Sequence, residues 1–251
     1  MPTNLNTKLF SDESREIYTG QTRLDLARLV LHVDDAIIAI DKPSGMPTHP
    51  GPGADDVLSL MVLVRNYLGA WVYPVHRLDR ATSGVVVLAR SKEVASLLAT
   101  QFADRKVTKI YRALVRGWAK DEILIDRPLE RLHDDTEQSA ITRVKTLANY
   151  TADWSVRPYP ASRYSLVELT PETGRTHQIR RHLAGISHPI IGDTKYGDGA
   201  HNVAFRTHCG ISRLLLHAKR LEFRHPASEE MMVLTSRADL LANVGANDIA
   251  G

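Results

Sequence analysis

The sequence predicts an α+β fold built on a mixed, largely antiparallel central sheet. Segments with strand character outnumber segments with helical periodicity, and several predicted strands follow one another without a helix between them. This order does not favour a doubly wound fold, in which strands and helices alternate. Of the 251 residues, 43% are hydrophobic and 24% are charged, which is typical of a globular chain and excludes a largely disordered one.

The predicted strands are short and rich in β-branched or aromatic residues. In chain order they cover residues 29–33, 36–41, 72–75, 85–90, 107–116, 163–169, 214–223 and 231–235. The twelve residues 42–53 contain four prolines and three glycines, which predicts a loop. Residues 121–150 are mixed in character and include a polar patch over residues 133–139.

Helix ends are predicted from residues that cap helices well. A first helix over residues 55–68 has Asp55 or Asp56 as its N-cap and Gly69 after its last residue. Ser91 is the predicted N-cap of a second helix. The apolar stripe of that helix is predicted to contain Val94, Leu97, Leu98 and Phe102. A third helix is predicted over residues 176–183.

A single catalytic domain over residues 25–242 is expected, between a polar flexible extension over residues 1–24 and a mobile tail over residues 243–251. Cys209 is the only cysteine, which excludes a disulfide or a four-cysteine metal site within one chain. The sequence has no signal peptide near its start and no apolar run approaching the roughly 20 residues of a membrane span. We therefore expect a cytoplasmic protein without a membrane contact.

Basic residues are concentrated in two segments. The whole chain has 32 Lys and Arg residues against 29 Asp and Glu residues, a net charge of +3. Residues 101–120 contain a single acidic residue and six basic ones, Arg105, Lys106, Lys109, Arg112, Arg116 and Lys120. Residues 175–182 contain three arginines, two histidines and no acidic residue. Two solvated faces would explain this pattern, but the planar fork of arginine also suits bidentate contacts with phosphate.

Cofactor and metal motifs are weak in this sequence. It has no P-loop, no glycine-rich dinucleotide fingerprint, no HExxH and no GxSxG. His177 and His182 are five residues apart, which does not place both on one helix face for zinc. His201, His208 and Cys209 would have to meet at a metal, and the simpler interpretation is that they are loop residues.

The segment HRLDRATSG, residues 76–84, places one carboxylate, Asp79, between Arg77 and Arg80. Two flanking cations favour an ionised carboxylate, which acts as a base or nucleophile and not as an acid. The Thr-Ser-Gly that follows favours a turn into the next strand. The alternative is a carboxylate that its neighbours neutralise or that stabilises the turn.

Two further segments carry reactive side chains. Residues 172–182 begin with a polar turn and continue into a short basic helix, and both helix N-termini and arginines bind anions. A basic surface helix is the alternative interpretation. In the strand KIYRALV, residues 109–115, Tyr111 shares a face with Ala113 and Val115, and a half-buried core tyrosine is the alternative to a functional one.

Together these segments resemble the pseudouridine synthase family that is named for large-subunit ribosomal RNA synthase A. The resemblance rests on HRLDRATSG, KIYRALVRG and TGRTHQIRRHL, with KPSGMPTHP before them and HPIIGDTKYGD after them. Long motifs in the expected order make it specific, and it covers residues 29–234. The polar extension before it is not part of the family pattern. The resemblance implies the family's α+β fold around one RNA-binding cleft.

The resemblance also implies roles for individual residues. Asp79 would be the catalytic aspartate, which acts at the ribose of a target uridine. Tyr111 would stack on the uracil and help to remove the proton from its C5 atom. Arg180 would pair with Asp79 and orient it, Ile179 would pack in the same pocket, and Arg77 would help to extrude the base. The other residues expected to contact the RNA are His76, Arg105, Lys106, Arg175, Thr176, His177, Gln178 and Arg181.

The implied reaction breaks the N1–C1′ bond of uridine, turns the uracil and joins C5 to C1′. Because no atom is lost and no redox change occurs, no cofactor is expected. The implied partner is RNA, and the protein is expected to be a monomer. The likeness is greatest to the members that act on tRNA, which implies the uridine at position 65 of the T-stem as the target.

Three alternatives to this function differ in what they require. A ribosomal RNA synthase would keep the same chemistry, because substrate choice depends on shape and loops. A non-catalytic RNA-binding protein would keep the basic segments but would not need Asp79 beside Arg180. A uridine-acting hydrolase would need a second carboxylate to activate water, and none accompanies Asp79 in its motif.

Overall fold

The protein folds around one large mixed sheet with helices on both sides. A computed structural model describes residues 16–19, 22–50, 58–132, 134, 136–242, 244 and 249. The strands are β1 (Glu16–Thr19), β2 (Thr22–Asp25), β3 (Val30–Val33), β4 (Ile37–Lys42), β5 (Tyr73–Pro74), β6 (Ser83–Ala89), β7 (Thr108–Arg116), β8 (Glu122–Asp126), β9 (Leu129–Glu130), β10 (Glu137–Gln138), β11 (Ile141–Ala152), β12 (Ser162–Pro171), β13 (Leu216–Arg224) and β14 (Met231–Thr235). The helices are α1 (Leu26–Leu29), α2 (Leu60–Leu68), α3 (Lys92–Ala103), α4 (Gln178–Gly185) and α5 (Gly199–Cys209).

The large sheet has the order β3-β4-β6-β13-β7-β12-β11-β8, with β5 paired to β6 and β14 paired to β13. Its pairs are antiparallel except for β6 and β13, which run parallel. The predicted α+β fold with a mixed, mostly antiparallel sheet is therefore confirmed. Within the described part of the chain, no helix is long and apolar enough to cross a membrane.

The parallel contact between β6 and β13 brings two backbones unusually close. Gly84 has φ +113°, and a Cβ atom there would overlap the backbone of Ala218. Only glycine adopts this conformation and allows this approach at low cost. Gly84 therefore fixes the start of β6, and with it the position of the turn that carries Asp79.

Two of the predicted helices have other bounds in the structure, since the helix predicted over residues 176–183 is α4, Gln178–Gly185, and the one predicted over residues 55–68 is α2. Helix α2 begins at Leu60 with Ser59 as its N-cap, while Asp55 and Asp56 lie outside the described residues. Gly69 ends this helix in the left-handed conformation, as predicted. Ser91 caps α3 through the N–H of Val94, also as predicted.

The predicted apolar stripe of α3 is wrong at one position. Leu97 is 53% exposed, whereas Leu98 is buried. The helix packs a narrow face on the sheet, so of two adjacent leucines only one is covered. The remaining stripe residues, Val94 and Phe102, are partly buried against the same core cluster.

Two long elements have no counterpart in the prediction. Strand β11 occupies the end of the segment that looked mixed in the sequence, and it pairs with both β12 and β8. Helix α5 is capped by Asp198, whose side chain accepts from the N–H of Ala200. It carries His201, His208 and Cys209, so the interpretation of these three as loop residues is wrong.

The last residues of the predicted extension, 16–19 and 22–24, form regular structure. Strands β1 and β2 pair in antiparallel fashion, with Glu16 opposite Asp25. Side chains of residues 16–24 lie outside the described part of the chain, as do most residues of the predicted tail. The domain bounds therefore stay a prediction.

A buried hydrogen-bonded chain joins three strands behind the cleft. The ring nitrogens of His217 on β13 lie 2.9 Å from Ser83 Oγ and 2.7 Å from Ser236 Oγ. Ser236 Oγ in turn donates to Asp41 Oδ2 at 2.6 Å. Burial, which is only partly offset by Asp41, lowers the pKa of His217 to about 4.

This histidine predicts a loss of stability in mild acid. In the unfolded chain a histidine has a pKa near 6.5, so between pH 6.5 and 4 it binds a proton that His217 in the folded chain does not bind. The contribution of His217 to the free energy of unfolding is therefore complete above pH 6.5 and is lost as the pH falls toward 4. At pH 5 the loss amounts to about 2 kcal/mol. Urea unfolding at pH 7.5 and pH 5 measures it. In His217→Gln, the fall in the free energy of unfolding between these two pH values should be smaller by about the same amount. A fall as large as that of the wild type would contradict the role given to His217.

Candidate active site

One cleft of about 780 Å³ lies between the turn that precedes β6, strand β7 and the segment that leads into α4. It collects most of the residues that the sequence predicts to act on RNA. These are His76, Arg77, Asp79, Arg105, Tyr111, Arg175, Thr176, His177, Gln178, Ile179 and Arg180. Lys106 and Arg181 are not among the residues that line it: Lys106 pairs with Asp104, and Arg181 donates to the carbonyl of Glu130.

At the floor of the cleft, Arg180 holds two carboxylates. Its Nη1 donates to Asp79 Oδ2 at 3.2 Å, and its Nε and Nη2 donate to the two oxygens of Asp193 at 2.7 and 2.8 Å. Asp193 also accepts the backbone N–H groups of Lys195 and Tyr196. Asp193 thus fixes the plane of the guanidinium, and the guanidinium fixes one oxygen of Asp79.

The charges of this cluster stabilise each other. The hydrogen bonds of Asp193 raise the pKa of Arg180 above its ordinary value despite partial burial. Burial alone would raise the pKa of Asp193, but the bonds from Arg180 and from the two backbone N–H groups bring it below its ordinary value. Arg180 and Asp193 are therefore both ionised at neutral pH, and Arg180 contacts only one oxygen of Asp79, which leaves the other available to a substrate.

The arginines that flank Asp79 in sequence, Arg77 and Arg80, form no ion pair with it in the described part of the chain. Arg80 Nε donates to the carbonyl of Gly45 at 2.8 Å, and Arg77 is an exposed residue that lines the cleft. Successive residues of a turn point in different directions, so adjacency in sequence does not give contact. The cation that contacts Asp79 is Arg180 instead, and the ring of His177 lies beside the same carboxylate oxygen.

The loop 42–48 supports the Asp79 turn from below. Thr48 Oγ1 donates to the carbonyl of Leu78 and accepts its N–H, and Ser44 Oγ donates to the carbonyl of Ala81. The fully buried Lys42 Nζ donates to the carbonyls of Pro43, Met46 and Arg80. Burial lowers the pKa of Lys42 to about 7, although the charge of Asp79 acts in the opposite direction.

Strand β7 places Tyr111 in the wall of the cleft. Burial, and then the charge of Asp79, raise the pKa of the Tyr111 phenol above its ordinary value. The phenol is therefore protonated at neutral pH. Nearby cations would have lowered the pKa of Tyr111 and made it a better base, but burial and Asp79 act in the opposite direction.

Gln178 and His76 make their bonds within the protein. Gln178 accepts from the Thr173 hydroxyl and the Arg175 N–H, and it donates to Ile141 and Thr142. The His76 ring stacks on Phe102 at 4.8 Å, and its Nε2 accepts the N–H of Val87. Burial lowers the pKa of His76 to about 4. These bonds favour supporting roles over direct contact with RNA.

Sequence reasoning assigned no role to several groups that the structure places around Asp79. They are Lys42, Asp193, Lys195 and Tyr196. All lie inside the motifs quoted for the resemblance, which was the available signal. Among the described residues, no group of three or more His, Cys, Asp or Glu side chains could hold a metal ion.

Comparisons with known proteins agree with this geometry. The family model described as RNA pseudouridylate synthase matches residues 36–185, more than half of the chain. The chain is 42% identical over 221 residues to "tRNA pseudouridine synthase C" of Pasteurella multocida, covering 84% of this chain and 91% of that protein. It is 40% identical over 221 residues to the protein of the same name from Vibrio parahaemolyticus, covering 84% and 90%.

A solved structure matches as well. The human "RNA Pseudouridylate Synthase Domain Containing 4" superposes with a TM-score of 0.67 at 27% identity, covering 90% of this chain and 95% of that one. The matched segment of the family model includes Asp79, Tyr111 and Arg180. From the extent of these matches, the chain belongs to the RNA pseudouridylate synthase family.

Proposed function

We propose that this chain isomerises a uridine of tRNA to pseudouridine, and that the target is uridine 65 in the T-stem. The observation that carries the proposal is the Asp79 carboxylate, held by Arg180 in a cleft of about 780 Å³. That volume lies within the roughly 300–1,000 Å³ of pockets that enclose a small ligand, such as one flipped-out nucleoside. The names of the relatives support tRNA as the substrate class.

The isomerisation needs one carboxylate and a pocket that encloses the detached uracil. The N1–C1′ bond breaks, the uracil rotates while still enclosed, C5 bonds to C1′, and the proton of C5 is transferred to N1 through the site or solvent. Asp79 acts either as a nucleophile on C1′ or as a base at C2′, and both are compatible with a carboxylate oxygen that Arg180 leaves free. A paired acid and base, as in a glycosidase, is not required because no water is activated.

The environment of Tyr111 limits how it can act. Burial, and then the charge of Asp79, raise the pKa of the phenol, so Tyr111 is protonated in the resting enzyme. Asp79 regains its charge in either mechanism when C5 bonds to C1′, so the phenol is still protonated when the C5 proton has to leave. Tyr111 therefore acts as a relay, in which its oxygen accepts the C5 proton while its own proton passes toward N1 through the site or solvent.

Replacement of Tyr111 by phenylalanine tests this role. The ring that would stack on uracil survives, but the hydroxyl is lost. We expect turnover to fall by about 10²-fold or more, the usual scale for a general acid or base, with RNA affinity changed by less than about threefold. Single-turnover rates and filter binding separate the two effects. A loss of affinity with normal turnover of bound RNA would make Tyr111 a binding residue only.

Phosphate contacts would position the RNA over the cleft. Arg77, Arg105 and Arg175 line the opening, and Arg175 Nε is oriented by the carbonyl of Ser139. An A-form stem presents phosphates and 2′-hydroxyls in a shallow groove whose shape a basic cleft can recognise. Lys106 and Arg181 lie outside the lining, and we retain them as contacts to phosphates farther along the duplex.

The substrate is tested by mapping pseudouridines in tRNA and ribosomal RNA from cells with and without the gene. We expect loss of the modification at position 65 of tRNA in the deletion strain. Loss at a ribosomal site alone would favour a ribosomal RNA synthase, the second candidate. We also retain a cytoplasmic monomer as part of the proposal, which cell fractionation and light scattering would test.

A further inference from the structure

His177 has a backbone conformation that is uncommon for a residue other than glycine. It precedes α4 with φ 54° and ψ 26°, in the left-handed region, and its side chain makes no capping hydrogen bond. A non-glycine residue in this region carries a strain that glycine would relieve and that asparagine tolerates more easily. Strain without a capping benefit points to a role for the side chain.

The strained backbone directs the imidazole between two functional groups. Nδ1 lies 3.1 Å from the hydroxyl of Tyr196, and Nε2 lies 3.8 Å from Asp79 Oδ2. Tyr196 is itself fixed, because its N–H donates to Asp193 and its ring faces the guanidinium of Arg180 at 5.2 Å. The ring of His177 is therefore held relative to the same carboxylate that Arg180 orients.

The tautomer of His177 follows from these neighbours. Burial, with the charges of Arg180 and Lys195, outweighs Asp79 and Asp193 and lowers the pKa of His177, so the ring is neutral at pH 7. A lone pair on Nε2 that faced the Asp79 carboxylate would be repelled by it. The favoured arrangement has the Tyr196 hydroxyl donating to Nδ1 and a proton on Nε2 that points toward Asp79.

The distance between Nε2 and Asp79 Oδ2 is too long for a direct hydrogen bond. A donor and an acceptor separated in this way suit a hydroxyl placed beside both, which accepts from the N–H and donates to the carboxylate. Within an RNA strand, the 3′ and 5′ oxygens of each ribose are esterified, so its one free hydroxyl is the 2′-OH. This hydroxyl is also the group that distinguishes RNA from DNA at a given nucleotide.

We propose that His177 Nε2–H and Asp79 Oδ2 together bind the 2′-hydroxyl of the target nucleotide, with Tyr196 as the residue that orients His177. His177 then determines specificity for ribose and positions the sugar against Asp79. The inference rests on the proposed function, since it takes a nucleotide of RNA as the ligand of this cleft.

The test is a thermodynamic cycle that combines a change in the protein with removal of the 2′-hydroxyl from the substrate. Two unmodified tRNA transcripts are compared, one all-ribose and one with a single 2′-deoxyuridine at position 65. His177→Asn keeps a residue that tolerates the left-handed conformation but is too short to reach the 2′-hydroxyl. We expect it to lower kcat/KM and RNA affinity on the ribose substrate by about tenfold together, the scale of one hydrogen bond, and to change little on the deoxy substrate.

Two further variants serve as controls. His177→Gln places an amide N–H near the position of Nε2 and should restore most of the discrimination between ribose and deoxyribose. Tyr196→Phe should weaken it by about threefold, because the tautomer is no longer selected. A role of His177 in folding alone would lower activity equally on both substrates.

The outcomes separate this inference from the proposed function. Equal effects of His177→Asn on the ribose and deoxy substrates, in both kcat/KM and dissociation constant, would overturn the inference even if the wild type makes pseudouridine. Absence of pseudouridine with the wild-type protein would overturn the proposed function, while a ribose-specific change in the dissociation constant would still support the contact.

Discussion

Replacement of Asp79 by asparagine should abolish pseudouridine formation while leaving the fold and RNA binding intact. Asparagine has nearly the same shape, but its amide can neither attack C1′ nor accept a proton. The loss should be at least about 10³-fold, the scale for removal of an essential catalytic group. Arg180 would retain its two bonds to Asp193, so the cleft should keep its shape.

Tritium release from C5-labelled uridine in RNA measures this loss. A variant that keeps a tenth of the wild-type rate would contradict the assignment of Asp79. Asp104 is a suitable matched control, because it is an aspartate that contacts Lys106 and does not line the cleft. Asp104→Asn should therefore keep close to wild-type turnover.

Replacement of Arg180 by methionine should have the second-largest effect, and a much larger one than Arg181→Met. Arg180 makes three hydrogen bonds to two carboxylates, and the Asp193 side chain is 1% exposed. Its loss leaves Asp193 buried without a cation, which costs about 3–5 kcal/mol of folding stability. It also frees Asp79 to rotate, which should reduce turnover by about 10²-fold or more.

Arg181 is half-buried on α4, and its Nη1 donates to the carbonyl of Glu130. Its replacement should weaken RNA binding modestly and lower the salt slope of binding by about one unit. If Arg180→Met does not fold, Arg180→Lys is used instead, because lysine keeps the positive charge but lacks the planar guanidinium group that binds two carboxylates. The reverse ranking of the two positions, in stability and in turnover, would contradict the arrangement of the site.

The prediction of the fold succeeded where local pattern and tertiary packing agree. Ser91 and Gly69 mark helix ends in the sequence and in the structure. Helix α5 was missed because it has few apolar residues, and it is stabilised by packing of Phe205 against Trp154 and Tyr164. Strand β11 was missed because many residues on it are polar or exposed and a bulge between Thr146 and Ala148 breaks its alternation.

The candidate site could be predicted in part. The resemblance named Asp79, Tyr111 and Arg180, and the structure places all three in one cleft. The spacing of residues alone could not show that Arg180 binds both carboxylates, since Asp79 and Arg180 are 101 residues apart and Asp193 lies on another loop. The sequence could not predict the environment of Tyr111 either, because burial depends on the whole fold and not only on the strand that carries the residue.

The most direct test of the central claim uses the purified chain and unmodified transcripts of a whole tRNA and of ribosomal RNA fragments. After incubation, pseudouridine is mapped at single-nucleotide resolution. We predict pseudouridine at position 65 of the tRNA with the wild type and none with Asp79→Asn. Pseudouridine in ribosomal RNA alone would overturn the substrate but keep the chemistry, and absence of pseudouridine from every RNA tested would contradict the account.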